Sequence, residues 1–168
     1  KGAIHNKLSH MIEYNRTRAG LMEQFQKMIE EYNSGSSNIE QFFHDLMAFA
    51  KELNAEEKRH IVEQLTDEEL AILDLLTKPA MTLNSKEIKQ IKRVAKELLE
   101  TLKREKLVLD WRKRQQSRAA VRLTIEETLD RLPRVFTKDL YRTKCDTIYQ
   151  HIYDSYYGSG RSIYAKAG

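Results

Sequence analysis

The run N-S-K-E-I-K-Q-I-K-R-V-A-K-E-L-L-E-T-L, Asn84 to Leu102, decides the fold class. Asn84 stands three residues before Glu87, so its side chain can accept a first-turn N–H while the Glu87 carboxylate reaches back to the Asn84 backbone. Behind that pair, Ile88, Ile91, Ala95, Leu98 and Leu102 recur three and four apart, the spacing of one helix face. The pattern carries on to Leu109 after Glu105 takes one place. It is heptad-like for only about two and a half repeats, short of a coiled coil, so a bundle helix is expected.

The same signature recurs along the chain. Asn38 precedes Gln41, Asn54 precedes Glu57 and Thr66 precedes Glu69, each before an amphipathic run. Six glycines, two prolines and no convincing period-2 stretch leave little room for strands. The expected fold is all-α, an irregular multi-helix bundle of about six to seven helices with no sheet. A first helix is expected from about Ala3 to Asn33, with a register slip near Asn15–Gly20 that marks a kink or break. After the turn N-S-G-S-S (Asn33–Ser37), a second helix carries Ile39, Phe42, Phe43, Leu46, Phe49, Ala50 and Leu53. Shorter helices follow around Ala55–Gln64 and Asp67–Thr77. The last helix runs over about Lys138–Tyr157, and Gly158-Ser159-Gly160 reads as its C-terminal stop. Residues 1–168 read as a single helical domain, with 78–84, around Pro79, the place for any sub-division.

The composition narrows the function classes. Hydrophobic residues at 40% and charged residues at 32% suit a helix-rich soluble domain. No apolar run has the length of a membrane span, and no signal peptide opens the chain. The single Cys145 cannot form an intrachain disulfide, which fits a reducing cytoplasm and makes the Asn15-Arg16-Thr17 sequon a chance match. The opening Lys1-Gly2-Ala3, without Met, suggests a piece of a longer polypeptide. There is no phosphate-binding G-x-x-x-x-G-K-[ST] motif, and the five histidines are dispersed. His5 and His10 diverge by roughly 140° around a helix, too far to share a metal. Glu56-Glu57 and Glu68-Glu69 occupy expected first turns, where cap and dipole roles suffice. Cys145 has no nearby histidine and is expected at a buried helix position. No catalytic residue, cofactor site or metal site is therefore expected in this chain.

Charge is uneven. From Lys103 to Arg122, eight Lys/Arg stand against Glu105 and Asp110, a surplus of six, so the rest of a chain of net charge +4 is acidic by two. Within that span lies D-W-R-K-R-Q-Q-S-R-A-A-V-R, Asp110 to Arg122. Asp110 reads as the N-cap of a helix from Trp111 to about Leu132, ended by Pro133, unless Thr124 with Glu127 starts a new one. At about 100° per residue, Trp111, Val121, Ile125, Leu129 and Leu132 share a face, and Arg114, Arg118 and Arg122 continue it. Arginines that prolong an apolar seam meet something other than water. They can pair with carboxylates, such as Glu126 four residues after Arg122, or meet a partner protein, or grip phosphates with Arg112 and Lys113. Six of the eight tyrosines lie from Tyr141 onward, and Tyr149, Tyr153 and Tyr157 form an i, i+4, i+8 line suited to a half-dry interface. Trp111, Arg112, Lys113, Arg114, Arg118, Arg122, Tyr149, Tyr153 and Tyr157 are thus the candidates for contact with a partner or with DNA.

Four stretches carry a family likeness: E-Y-N-R-T-R-A-G-L-M-E-Q-F-Q-K-M-I-E-E-Y-N (Glu13–Asn33), L-T-D-E-E-L-A-I-L-D-L-L-T (Leu65–Thr77), K-R-E-K-L-V-L-D-W-R-K-R-Q-Q-S-R-A-A-V-R (Lys103–Arg122) and Y-R-T-K-C-D-T-I-Y-Q-H-I-Y-D-S-Y-Y-G (Tyr141–Gly158). In order and over nearly the whole chain, they resemble the C-terminal helical region of the restriction subunit of type I restriction–modification enzymes. The resemblance implies a parent subunit with a nuclease and an ATP- and Mg-dependent DNA motor, whose motifs are not in this sequence. It also implies a non-catalytic role here: attaching that motor to the modification and specificity subunits, the expected partners. The alternative is a DNA-backbone-binding module centred on residues 111–122.

Overall fold

The computed structural model describes residues 2–167, with side chains through residue 165. Among the described residues there are eight α-helices: α1 (Gly2–Tyr14), α2 (Ala19–Asn33), α3 (Ile39–Glu57), α4 (Arg59–Val62), α5 (Asp67–Thr77), α6 (Ser85–Thr101), α7 (Gln115–Leu129) and α8 (Lys138–Ser155). The fold is all-α apart from one small hairpin, and no described helix is long and apolar enough to cross a membrane. The chain divides into two compact units between Leu70 and Ala71.

In the first unit, the register slip becomes a break at Asn15. Its backbone is extended, and its side-chain oxygen accepts from the Thr17 N–H at 3.2 Å and the Thr17 hydroxyl at 2.7 Å, setting a 3-10 turn over Arg16–Arg18. Asn15 is 1% exposed, so the sequon asparagine is sealed inside the fold. The break lets α1 and α2 fold back on each other around Leu8, Met11, Phe25, Phe49 and Leu53. Stacked Phe25 and Phe49 rings, 5.7 Å apart, join α2 to α3.

The expected helix start at Asn54 does not form. Helix α3 runs through it because buried Leu53 continues the face of Phe42 and Phe49, and the Asn54 side chain instead accepts from Lys7 Nζ at 2.9 Å. The helix expected over Ala55–Gln64 shrinks to the single turn α4. The caps at Asn38 and Thr66 do form, the latter with Glu69 bonding back to the Thr66 N–H.

Arg18 is the polar anchor of this unit. Only 5% exposed, it donates to the Met11 carbonyl at 3.2 Å and to Glu56 Oε1 at 3.3 Å, and Arg59 clasps the same carboxylate at 2.9 Å. Burial pushes the Glu56 carboxyl up, but the hydrogen bond and charge of Arg59, backed by Arg18, outweigh it and hold the group below the ordinary carboxylate value.

In the second unit, α6 opens with the reciprocal pair expected: the Glu87 N–H donates to Asn84 Oδ1 at 2.8 Å and the Asn84 N–H to Glu87 Oε1 at 3.1 Å. Ile91, Ala95, Leu98 and Leu102 are fully buried, whereas Ile88 sits at the edge. Past Thr101 the helix widens into a π turn, Leu102–Lys106, closed by a Leu107 N–H to Leu102 carbonyl bond of 2.8 Å. Leu109 therefore lies beyond the helix and is exposed, not on its apolar face. Nor does Gly158-Ser159-Gly160 simply stop α8. All three residues take positive φ and turn the chain into an antiparallel hairpin, β1 (Tyr156–Gly158) with β2 (Arg161–Ser162), the sheet that the sequence pattern did not suggest.

Glu56 supports a stability prediction. Its depressed folded-state pKa means that its contribution is fully present above pH 4.5, its ordinary value, and is lost as pH falls through the lower folded value. Glu56→Gln is expected to cost about 3 kcal/mol at neutral pH, because it leaves Arg18 buried without its carboxylate. In denaturant melts, the gap to wild type narrows below pH 4.5.

Candidate functional site

The basic segment is not one helix. Asp110 takes the left-handed conformation, φ 57° and ψ 27°, and its side chain makes no cap bond. Trp111–Lys113 form a 3-10 turn, Arg114 is extended at φ −108° and ψ 123°, and only then does α7 begin at Gln115. The helix expected over 111–132 is thus broken at its start and ends at Leu129. Left-handed and extended residues cannot carry an α-helical ladder, so the turn is free to aim Trp111 independently of α7. A restart at Thr124 is closed off, since its hydroxyl donates to the Ala120 carbonyl at 2.9 Å inside a continuous helix.

Trp111 is fully buried. Its indole N–H donates to the Tyr156 carbonyl at 3.1 Å, and the rings of Tyr149 and Tyr153 meet it edge-on at 6.5 and 5.9 Å. Arg112 donates to the Tyr153 carbonyl at 3.1 Å and lays its guanidinium over the Tyr153 and Tyr157 rings, 5.4 and 4.9 Å from their centres. Tyr149 and Tyr153 share α8, but Tyr157 lies in β1, so the expected helical line of three tyrosines is instead a helix pair plus a strand residue joined by Arg112. Glycine at 158 is required here. At φ 99° it packs so closely on the Val108 carbonyl that a Cβ has no room, and the neighbouring Ser159 N–H donates to the Leu107 carbonyl at 2.9 Å.

The remaining cations separate into engaged and exposed groups. Arg118 donates to the Arg112 carbonyl at 2.6 Å. Arg122 pairs with Asp146 at 2.6 Å and with Glu126 at 3.5 Å, and sits 5.8 Å from the Tyr149 ring centre. Burial lowers the Arg122 pKa, but its bond and attraction to Asp146, with Glu126 behind, raise it overall. Lys113 is exposed and pairs with Asp110 at 3.8 Å, and Arg114 is exposed at the start of α7. Of the three fates open to the arginines, internal engagement describes Arg112, Arg118 and Arg122.

Beside this seam lie groups that the sequence did not single out. Lys144, 6% exposed, donates to the Leu75 and Lys78 carbonyls, both at 2.7 Å, and so places a cation on the C-terminal end of α5. Burial lowers its pKa. The Tyr141 hydroxyl donates to the Glu126 carbonyl at 2.6 Å, and burial, with Cys145 second, pushes its pKa to about 12. Burial also raises the Cys145 thiol, despite the Tyr141 hydrogen bond and Arg122, so it stays protonated and is a poor nucleophile. Among the described residues, no three of His, Cys, Asp and Glu gather as a metal-binding group.

Two substitutions separate the packed and solvated parts of the seam. Gly158→Ala is expected to destabilise by about 2–3 kcal/mol through strain at positive φ and the clash with Val108. Arg122→Ala, at a partly exposed ion pair, is expected to cost under about 1 kcal/mol. Thermal unfolding followed by the fluorescence of the single tryptophan reads both.

A family model described as the C-terminal domain of type I restriction enzyme HindI endonuclease subunit-like proteins matches residues 1–154. No curated protein and no solved structure matches the chain. The matched span includes Trp111, the five cations of the basic segment, Tyr149 and Tyr153, and stops before Tyr157 and the hairpin. The chain therefore belongs to the family of C-terminal domains of type I restriction enzyme HindI endonuclease subunit-like proteins.

Proposed function

We propose that this domain is a non-catalytic assembly module that attaches a DNA translocase and nuclease subunit to the modification and specificity subunits of a type I restriction enzyme in the cytoplasm. The observation that carries the reading is the family match over residues 1–154. ATP and Mg chemistry belongs, on this reading, to motor and nuclease domains of the parent subunit. The geometry adds a candidate docking rim. Half-buried Tyr149, Tyr153 and Tyr157 are held in place by Trp111 and Arg112, and exposed Lys113 and Arg114 follow Arg112 in the chain. A rigid aromatic rim followed in the chain by exposed cations suits a part-dry, part-charged protein interface.

DNA-backbone binding by residues 111–122 has less support, because Arg112, Arg118 and Arg122 are engaged internally and leave only Lys113 and Arg114 to reach phosphate.

The test is complex formation between this domain and the purified modification–specificity core, followed by size-exclusion chromatography. A stable complex at micromolar concentration is expected, weakened at least about tenfold by Lys113→Glu with Arg114→Glu, roughly a 1.4 kcal/mol effect. Absence of any complex overturns the assembly role; a complex indifferent to the double substitution moves the docking surface elsewhere.

A further inference from the structure

A groove of about 460 Å³ lies beside α6, lined by the cations Lys86, Lys89, Arg93 and Arg131 and by one carboxylate, Glu97, which Arg131 neutralises. Lys86, Lys89 and Arg93 stand at i, i+3 and i+7, one exposed stripe running about 10 Å along the helix. None of these three side chains meets a carboxylate among the described residues, in contrast to Arg122. Like charges three and four apart repel, so the stripe is held together against its own electrostatics by the helix that carries it. The opposite wall is fixed: Gln90 donates to the Arg131 carbonyl at 2.7 Å, and Arg131 pairs with Glu97 at 2.7 Å.

We infer that this groove binds the phosphate backbone of double-stranded DNA without reading its sequence. The choice of ligand follows from what lines the groove. A protein-docking groove needs an apolar or aromatic anchor site, and here the apolar lining is Val94, itself 3% exposed and turned into the core. A row of unpaired lysines and an arginine is suited to a row of negative charges, where point-charge attraction and counterion release supply the affinity. Gln90, already bonded, is placed to hold the wall rather than to read a base edge. The inference is independent of the assembly role, because it rests on α6 and not on the aromatic rim.

The experiment is fluorescence anisotropy of the 168-residue chain with a labelled mixed-sequence DNA duplex, across a salt series. Binding at low salt is expected, with the triple substitution Lys86→Ala, Lys89→Ala and Arg93→Ala weakening it at least about tenfold and flattening the log–log salt slope by about 2–3. Lys113→Ala with Arg114→Ala serves as the comparison and is expected to leave most of the affinity and slope in place. Unchanged binding by the triple variant overturns the inference, as does loss of binding confined to the Lys113 and Arg114 variant. Failure of wild type to bind duplex while it binds polyglutamate also overturns it and assigns the groove to an acidic protein segment. Circular dichroism of each variant confirms that the exposed substitutions leave the helices intact.

Discussion

The hydrogen bond from the Trp111 indole to the Tyr156 carbonyl organises the second unit. A buried indole N–H needs an acceptor, and this one belongs to the hairpin rather than to a neighbouring helix. To reach it, Trp111 must leave the line of α7, which the left-handed Asp110 and extended Arg114 allow. The hairpin must come close in turn, which excludes a side chain at Gly158. Once both are in place, the carbonyl of Tyr153 and the faces of Tyr153 and Tyr157 form a seat for Arg112.

The positive charge of the domain accordingly has two different uses. In the segment 103–122, three of the eight cations are engaged within the fold: Arg112 and Arg118 bond to carbonyls, and Arg122 to carboxylates. Along α6 the charge is turned outward. Engaged arginines stiffen the frame that positions the tyrosine rim, whereas exposed Lys86 and Lys89 keep their charge available for a ligand.

What the sequence discloses follows from the range of each interaction. The Asn84–Glu87 and Thr66–Glu69 pairs are local, complete within four residues, and both form. Asn54 carries the same local signature and fails, because the burial of Leu53 keeps α3 going through it. The burial of Cys145 agrees with the structural role expected of a cysteine without a nearby histidine, and the pairing of Arg122 with Glu126 is legible from their spacing; Asp146, 24 residues distant, is not. The break at Asp110 depends on an acceptor 45 residues away from Trp111 and leaves no local trace, whereas Gly158-Ser159-Gly160 marks a turn but not the approach of Gly158 to Val108 that makes it a hairpin. The α6 groove escapes a count along the sequence because Glu87, Glu97 and Glu100 are interspersed with its cations; only the helical winding gathers Lys86, Lys89 and Arg93 into one stripe.

Trp111, and with it the head of the basic segment, is built into the fold. Because Trp111 is the chain's one tryptophan, iodide quenching of its fluorescence tests this directly. A blue-shifted emission that iodide barely quenches is expected. A red-shifted emission, quenched as readily as free tryptophan, contradicts it.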